Sequence, residues 1–319
     1  MSDTRKVLVT VLPLSDEHRD FLKERASGGA FSCRMVFKRS DVTVEDVADA
    51  DAIIGNVPPA LLADAKKLKW LQLNSAGADP YDRPGLLPAG CALTTASGAY
   101  GLTVSEHLLA LTFALVRRLN QYMGLQKEGR WRSCGHVTSV EGSVVLVLGL
   151  GDIGGSYARK MKSLGAYVIG VRRHVNEKPD FIDELRGIDE LDDLLPRADM
   201  VAMVLPGTAE TFHVMDQRRL RLMKKGAYLV NAGRGTAVDL EALRKVLADD
   251  HLGGAALDVT EPEPLPPDHP LWRMDKVIIT PHVAGHFFLA ETVNRIVRIA
   301  GENLRDWTRG MEMKGKTQR

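Results

Sequence analysis

Cysteine is scarce. Cys33, Cys91 and Cys134 are the only three in 319 residues, they lie far apart, and no CxxC pair occurs. An odd, scattered set argues against a disulfide-stapled scaffold or a cysteine zinc site and fits a reducing compartment. An excess of charge of either sign is missing too: 42 Lys and Arg stand against 41 Asp and Glu, a net charge of +1. With the basic residues scattered, neither a nucleic-acid nor a membrane partner is expected. The longest apolar run, "LLALTFALV" at 108–116, is too short to cross a bilayer. The start, "MSDTRKVLVTVLP", enters a strand-like segment without the apolar stretch of a secretory signal, so the expected location is the cytoplasm. Repeats at solenoid periods and low-complexity tracts are absent as well.

What is present is the composition of a globular protein with a sizeable core, 45% hydrophobic and 26% charged, at a length that suggests two domains. Short β-branched runs alternate with helical patterns. "KVLVTVL" (6–12), "DAIIG" (51–55), "LKWLQL" (68–73) and "CALTT" (91–95) read as strands, and "SDEHRDFLKERA" (15–26) as an amphipathic helix with a Ser/Asp cap. Residues 102–128 read as one long helix, apolar enough to suggest the interface of a homodimer. From 143 the alternation restarts: "SVVLVLGLG", "AYVIGV", "ADMVAMVLP", "GAYLVNAG", "GGAALDV" and "KVIITPH" are strand candidates separated by helical stretches, and a last helix covers about 287–309. Such alternation predicts an α/β fold with doubly wound parallel sheets.

"VVLVLGLGDIGGSYA" places Gly149, Gly151 and Gly154 in GxGxxG spacing between a strand and a helix. Glycines there permit a tight turn, close backbone approach to a pyrophosphate and close helix–strand packing, with the phosphates meeting free N–H groups at the helix start. An acidic residue that clasps the ribose hydroxyls is expected roughly twenty residues on. This chain has Arg172 and Arg173 there, followed by His174. A guanidinium grips a phosphate bidentately and stacks on adenine, so the substitution predicts NADP(H), with NAD(H) as the alternative if the arginines merely face solvent. His174 reads as bystander surface.

Three segments downstream carry reactive side chains at predicted strand ends, where open α/β sheets bind ligands. "LVNAGRGTAVD" holds Arg234, "GGAALDVTEPEPLP" holds Asp258 and Glu263, and "VIITPHVAGH" holds His282. A Glu–His pair with an Arg suits reversible hydride transfer to a 2-keto acid. Glu263 would keep the His282 imidazolium available to protonate the carbonyl oxygen, and Arg234 would bind the carboxylate and polarise the carbonyl.

Over nearly its whole length the chain resembles the D-isomer-specific 2-hydroxyacid dehydrogenases, through "GLGDIGG", "LVNAGRG", "AALDVTEPEPL" and "TPHVAGH" in that order. The resemblance implies two Rossmann-like lobes. A dinucleotide-binding domain at 98–285 would be inserted into a discontinuous, flavodoxin-like substrate domain at 1–97 plus 286–319. It implies the roles given to Arg234, Glu263 and His282, and puts Asp258 on the nicotinamide side of the cofactor site. Asp152, Ile153, Ala232, Gly233 and Gly285 would line the cofactor pocket. "NSAGAD" (74–79) would be the substrate loop, whose N–H groups at Ala76 and Gly77 hold the carboxylate. No metal is implied.

The chain departs from the family pattern after His282, where "VAGHFFLAET" replaces a small Ser/Thr-rich continuation with His286, Phe287 and Phe288. Those side chains either shape substrate specificity or pack at the hinge. Ending at 319 without a regulatory extension, the chain does not resemble the serine-controlled phosphoglycerate dehydrogenases. Glu263 stands where formate dehydrogenases carry an amide, which argues against formate or other one-carbon oxidation. The expected activity is reduction of a small 2-keto acid, glyoxylate, hydroxypyruvate or a relative, by NADPH to a D-2-hydroxy acid. The alternative is a nucleotide-sensing, co-repressor-like binding protein of the same superfamily with little turnover.

Overall fold

The computed structural model describes residues 4–175 and 177–317. The chain divides into two compact units, Met1–Tyr100 with His286–Arg319, and Gly101–Gly285.

In the first unit, β1 (Thr4–Val9), β2 (Ser32–Phe37), β3 (Ala52–Ile54), β4 (Trp70–Gln72) and β5 (Ala92–Thr94) form one sheet in the order β2-β1-β3-β4-β5. All pairings are parallel. Val7, Leu8, Val9, Ile53, Ile54 and Leu71 are fully buried, as strands covered on both faces require. Helix α1 (Asp16–Arg25) starts where Ser15 and His18 cap each other: the Ser15 hydroxyl accepts from the His18 amide, and the His18 ring accepts from the Ser15 amide. A short α2 (Val44–Ala48) precedes β3. The C-terminal helix, Ala290–Thr308, packs on α1, and Gly301 permits the approach because a Cβ there would strike the Phe21 ring. Trp307 stacks obliquely on the buried Trp70, with ring centroids 5.6 Å apart. Strand β2 carries no clear sequence signal, since at the sheet edge its residues are mostly half-exposed and its polar positions mask the pattern.

The second unit opens with α3 (Gly101–Val116) and α4 (Leu119–Lys127). Its remaining elements are β6 (Val144–Leu148), α5 (Asp152–Ser163), β7 (Tyr167–Val171), β8 (Glu184–Arg186), α6 (Leu191–Leu194), β9 (Met200–Met203), α7 (Gln217–Leu222), β10 (Tyr228–Asn231), α8 (Leu240–Ala248), β11 (Gly254–Leu257) and β12 (Val277–Ile279). Seven strands form a parallel sheet in the order β12-β11-β10-β9-β6-β7-β8. The order reverses between β6 and β9, the switch point at which such sheets bind ligands. The expected α/β class with parallel sheets is borne out.

One expectation needs correction. The single helix over 102–128 is two helices, because Arg118 adopts a left-handed backbone (φ 57°) and its guanidinium donates to the Cys134 carbonyl at 2.7 Å. The apolar content of α3 is largely accounted for within its own unit, where Val104, Leu108, Leu111, Leu115 and Val116 are buried. No helix among the described residues is long and apolar enough to cross a membrane.

Candidate active site

The glycine loop follows β6. Gly149 has φ +94°, a conformation that glycine adopts without strain. A Cβ on Gly154 would overlap the Gly149 carbonyl oxygen, so helix and loop close only with glycine there. A Cβ on Gly151, in contrast, would point into open space. The amides of Asp152, Ile153 and Gly154 donate to nothing among the described residues, and α5 has no side-chain cap. Open space above Gly151 next to uncapped amides is the cradle a pyrophosphate needs, and these residues fit a dinucleotide. The Asp152 carboxylate turns away from the cradle and accepts from the Gly101 amide at 2.6 Å, fixing the start of α3.

Arg172 follows the last residue of β7. Its amide donates to the Arg186 carbonyl (3.2 Å) and its guanidinium to the Glu177 carbonyl (2.7 Å), while its Nε is buried without a partner. Arg173 is exposed and pairs with Glu210 at 2.7 Å. Exposed pairs of this kind contribute little and are readily exchanged. His174 is exposed.

Across the same sheet, Arg234 follows β10 on a loop held by Asn231. The Asn231 side chain accepts from the Gly233 amide (3.0 Å) and donates to the Arg234 carbonyl (3.0 Å). Gly233 lies against the Leu205 backbone and Gly235 against that of Thr260, both too close for a Cβ. Ala232 is half-buried beside them.

Glu263 and His282 meet. The His282 ring donates from Nδ1 to Glu263 Oε2 at 2.9 Å, a direction set by the carboxylate, which only accepts when ionised. The other carboxylate oxygen accepts from the Thr260 amide at 3.1 Å. Glu263 is therefore anchored at both oxygens, and the ring presents Nε2 on its free side. His282 has a left-handed backbone, φ 52°, uncommon for a residue with a side chain.

Asp258 stabilises that backbone. It is buried after β11, and its carbonyl accepts from the His282 amide (2.8 Å). Its carboxylate accepts from the amides of Val283 (3.0 Å) and Ala284 (3.1 Å) and from the Thr280 hydroxyl (2.6 Å). Because the Thr280 proton points at Asp258, its oxygen accepts from His107 Nε2 on α3, 3.0 Å away. Gly285, half-buried, ends this unit. Sequence reasoning missed Asn231, Thr280 and His107. The last had one signal, a polar ring on a largely apolar helix.

In the first unit, Ala76 and Gly77 are half-buried on the loop after β4. His286 and Phe288 stack face to face, centroids 5.1 Å apart, and Phe288 is largely exposed. Phe287 is half-buried. No group of three or more His, Cys, Asp or Glu side chains among the described residues is arranged to hold a metal ion.

Residues 109–284 match the family model "D-isomer specific 2-hydroxyacid dehydrogenase, NAD binding domain". A glyoxylate reductase from Korarchaeum cryptofilum is 33% identical over 283 residues, 84% of this chain and 83% of that one. Among solved structures, a D-isomer specific 2-hydroxyacid dehydrogenase family protein from Aeromonas salmonicida superposes with a TM-score of 0.82 at 31% identity, covering 98% of this chain and 99% of the other. The D-isomer specific 2-hydroxyacid dehydrogenase from Xanthobacter autotrophicus, solved with NADPH and MES, gives 0.80 at 26% identity, covering 98% of each. Fold, glycine loop and sequence relationship agree: the chain belongs to the D-isomer specific 2-hydroxyacid dehydrogenase family, and is an oxidoreductase acting on CH–OH groups.

Proposed function

We propose that this protein reduces a small 2-keto acid, such as glyoxylate or hydroxypyruvate, to the D-2-hydroxy acid, reversibly, with NADPH as donor. The observation that carries the reading is the His282–Glu263 pair, whose 2.9 Å hydrogen bond fixes the ring and leaves Nε2 to deliver a proton. His282 Nε2 protonates the carbonyl oxygen, and the Arg234 guanidinium, on its Asn231-held loop, binds the carboxylate and polarises the carbonyl. When bound, the dinucleotide supplies the hydride. The kinship with a glyoxylate reductase supports the substrate class.

Gly149, Gly151 and Gly154, with the free amides of α5, would hold the pyrophosphate, and Ala232, Gly233, Asp258 and Gly285 would line the rest of the dinucleotide site. Arg172, with its unpartnered Nε, and Arg173 would take the 2′-phosphate. An NADPH complex in a relative of the same fold agrees with this preference. The second unit would thus bind cofactor, and in the first the amides of Ala76 and Gly77 would hold a carboxylate.

We also assign a homodimer, built less on α3 than on the segment after it. Leu119, Met123 and Val137 are exposed there and Trp131 is fully so, a set of large apolar side chains that a partner would cover. Three cysteines, far apart in the chain and without a CxxC pair, fit the cytoplasm.

The direct test of the chemistry is product chirality. With hydroxypyruvate and NADPH the account expects D-glycerate, and L-glycerate would contradict it.

A further inference from the structure

We propose that Asn56 and Ser75 are positioning residues for substrate: together they set the loop after β4 so that three consecutive amides face a carboxylate. This rests on the 2-keto acid reading above.

The hydrogen bonds of the loop are one-sided. Three of the four carbonyls from Asn74 to Gly77 accept hydrogen bonds within the unit. Asn74 O accepts from the Tyr100 hydroxyl, Ser75 O from the Ala96 amide at 2.9 Å, and Gly77 O from the Ser75 hydroxyl at 2.8 Å. The amides of Ser75, Ala76 and Gly77 donate to nothing among the described residues. Three successive backbone donors left open on half-buried residues mark a place for an anion.

Asn56 imposes this arrangement. It lies just beyond β3, and its side chain bridges two residues of the loop. Oδ1 accepts from the Asn74 amide at 2.6 Å, and Nδ2 donates to Ser75 Oγ at 3.1 Å. A hydroxyl that accepts a hydrogen bond from Asn56 turns its own proton elsewhere, here to Gly77 O. The chain of donors therefore runs in one direction, Asn56 to Ser75 to Gly77, and fixes the Gly77 carbonyl while the three amides keep no acceptor among the described residues. Asn74 ties the same loop to the end of β1, donating to Thr10 O at 3.3 Å. In a sheet of order 2-1-3-4-5 the crevice between β1 and β3 is where ligands bind, and Asn56 stands on its rim. The second unit uses the same device at Arg234, where Asn231 bridges a loop through both atoms of its amide.

The test uses the full-length protein with Asn56→Leu, Ser75→Ala and Ser75→Thr. Three quantities are read: KM for glyoxylate, Kd for oxamate with NADPH present, and Kd for NADPH alone. Oxamate is also titrated while the backbone amide resonances of residues 75–77 are followed. Asn56→Leu and Ser75→Ala should raise the glyoxylate KM and oxamate Kd by about tenfold or more, with a smaller change in kcat. Ser75→Thr, which keeps the hydroxyl, should restore both to within about threefold of the parent. An unchanged NADPH Kd shows that the variants are folded. Parent-like KM and oxamate Kd in Asn56→Leu and Ser75→Ala would overturn the proposal while leaving the enzymatic reading intact, as would failure of Ser75→Thr to rescue. If the parent reduces no 2-keto acid yet oxamate shifts these amides only when Asn56 is present, the enzymatic reading falls and the positioning role stands. Amides that do not respond to oxamate in the parent would overturn the proposal directly.

Discussion

Asp258 holds His282 without touching its ring. The carbonyl of Asp258 accepts from the His282 amide, and its carboxylate accepts from the next two amides along, those of Val283 and Ala284. A left-handed residue is thereby held through its own amide and the one that follows it, and the imidazole is hydrogen-bonded to Glu263. A residue in that region persists only when its surroundings over-determine it.

Asp258→Asn removes one acceptor from a buried set of three donors, because an amide must turn its NH2 toward at least one of them. A buried donor left unsatisfied costs about 1–3 kcal/mol, which corresponds to a melting point lower by several degrees. Because His282 is then less firmly aimed, kcat should fall by at least about tenfold. A melting scan with single-turnover kinetics checks both, and a parent-like kcat would show that the clamp does not serve His282.

Glu263→Gln keeps the size of the side chain but cannot satisfy both neighbours. Facing its oxygen to the His282 ring turns NH2 toward the Thr260 amide, and the opposite rotamer sets NH2 against Nδ1–H. The loss of kcat should fall in the range of about 10²–10⁴ that general acid–base groups supply. NADPH affinity, measured by fluorescence quenching, should not move.

Arg172→Asp places a carboxylate where the account sets a 2′-phosphate. The KM for NADPH should rise by well over about tenfold, and NADH should be used relatively better, since repulsion replaces a charge-assisted contact. Arg173→Ala should have a weaker effect, because Arg173 is exposed and shared with Glu210. Unchanged NADPH affinity in Arg172→Asp would locate the selector elsewhere.

Acid should destabilise the second unit through two arginine-paired carboxylates, one on its edge strand and one in α6. Arg197, and then Arg186, hold the β8 carboxyl of Glu184 down to about 2, and Arg218 with Arg219 does the same for Asp192. A carboxyl depressed in the folded state stabilises it fully above the unfolded value, about 4, and the contribution is lost as pH falls toward 2. Glu184→Gln should therefore melt lower than the parent at pH 7, with the gap shrinking below about pH 5 and closing near pH 2. A gap constant across that range would mean that the charge is not the cause.

The sequence displayed the parts of this protein that depend on repetition or on residue type. Buried strands such as β6 and β10 stand out as β-branched runs, the glycine loop by its spacing, and Arg234, Glu263 and His282 by their positions after strands. Edge strands β2 and β8 were not legible, since one half-exposed face dilutes the pattern. The break at Arg118 was hidden because it depends on a left-handed residue held by a distant carbonyl. Positioning residues were hidden for a related reason. Asn56, Ser75, Asn231 and Thr280 act through bonds to backbone groups, and only the fold says which backbone lies within reach.

The central claim is hydride transfer from NADPH to a small 2-keto acid, and initial-rate kinetics on glyoxylate and hydroxypyruvate with each nicotinamide cofactor tests it most directly. The account predicts turnover of at least one of the two acids, with kcat/KM for NADPH exceeding that for NADH by at least about tenfold, the value of one charge-assisted contact. No turnover with either acid, or equal efficiency with NADH, would contradict it.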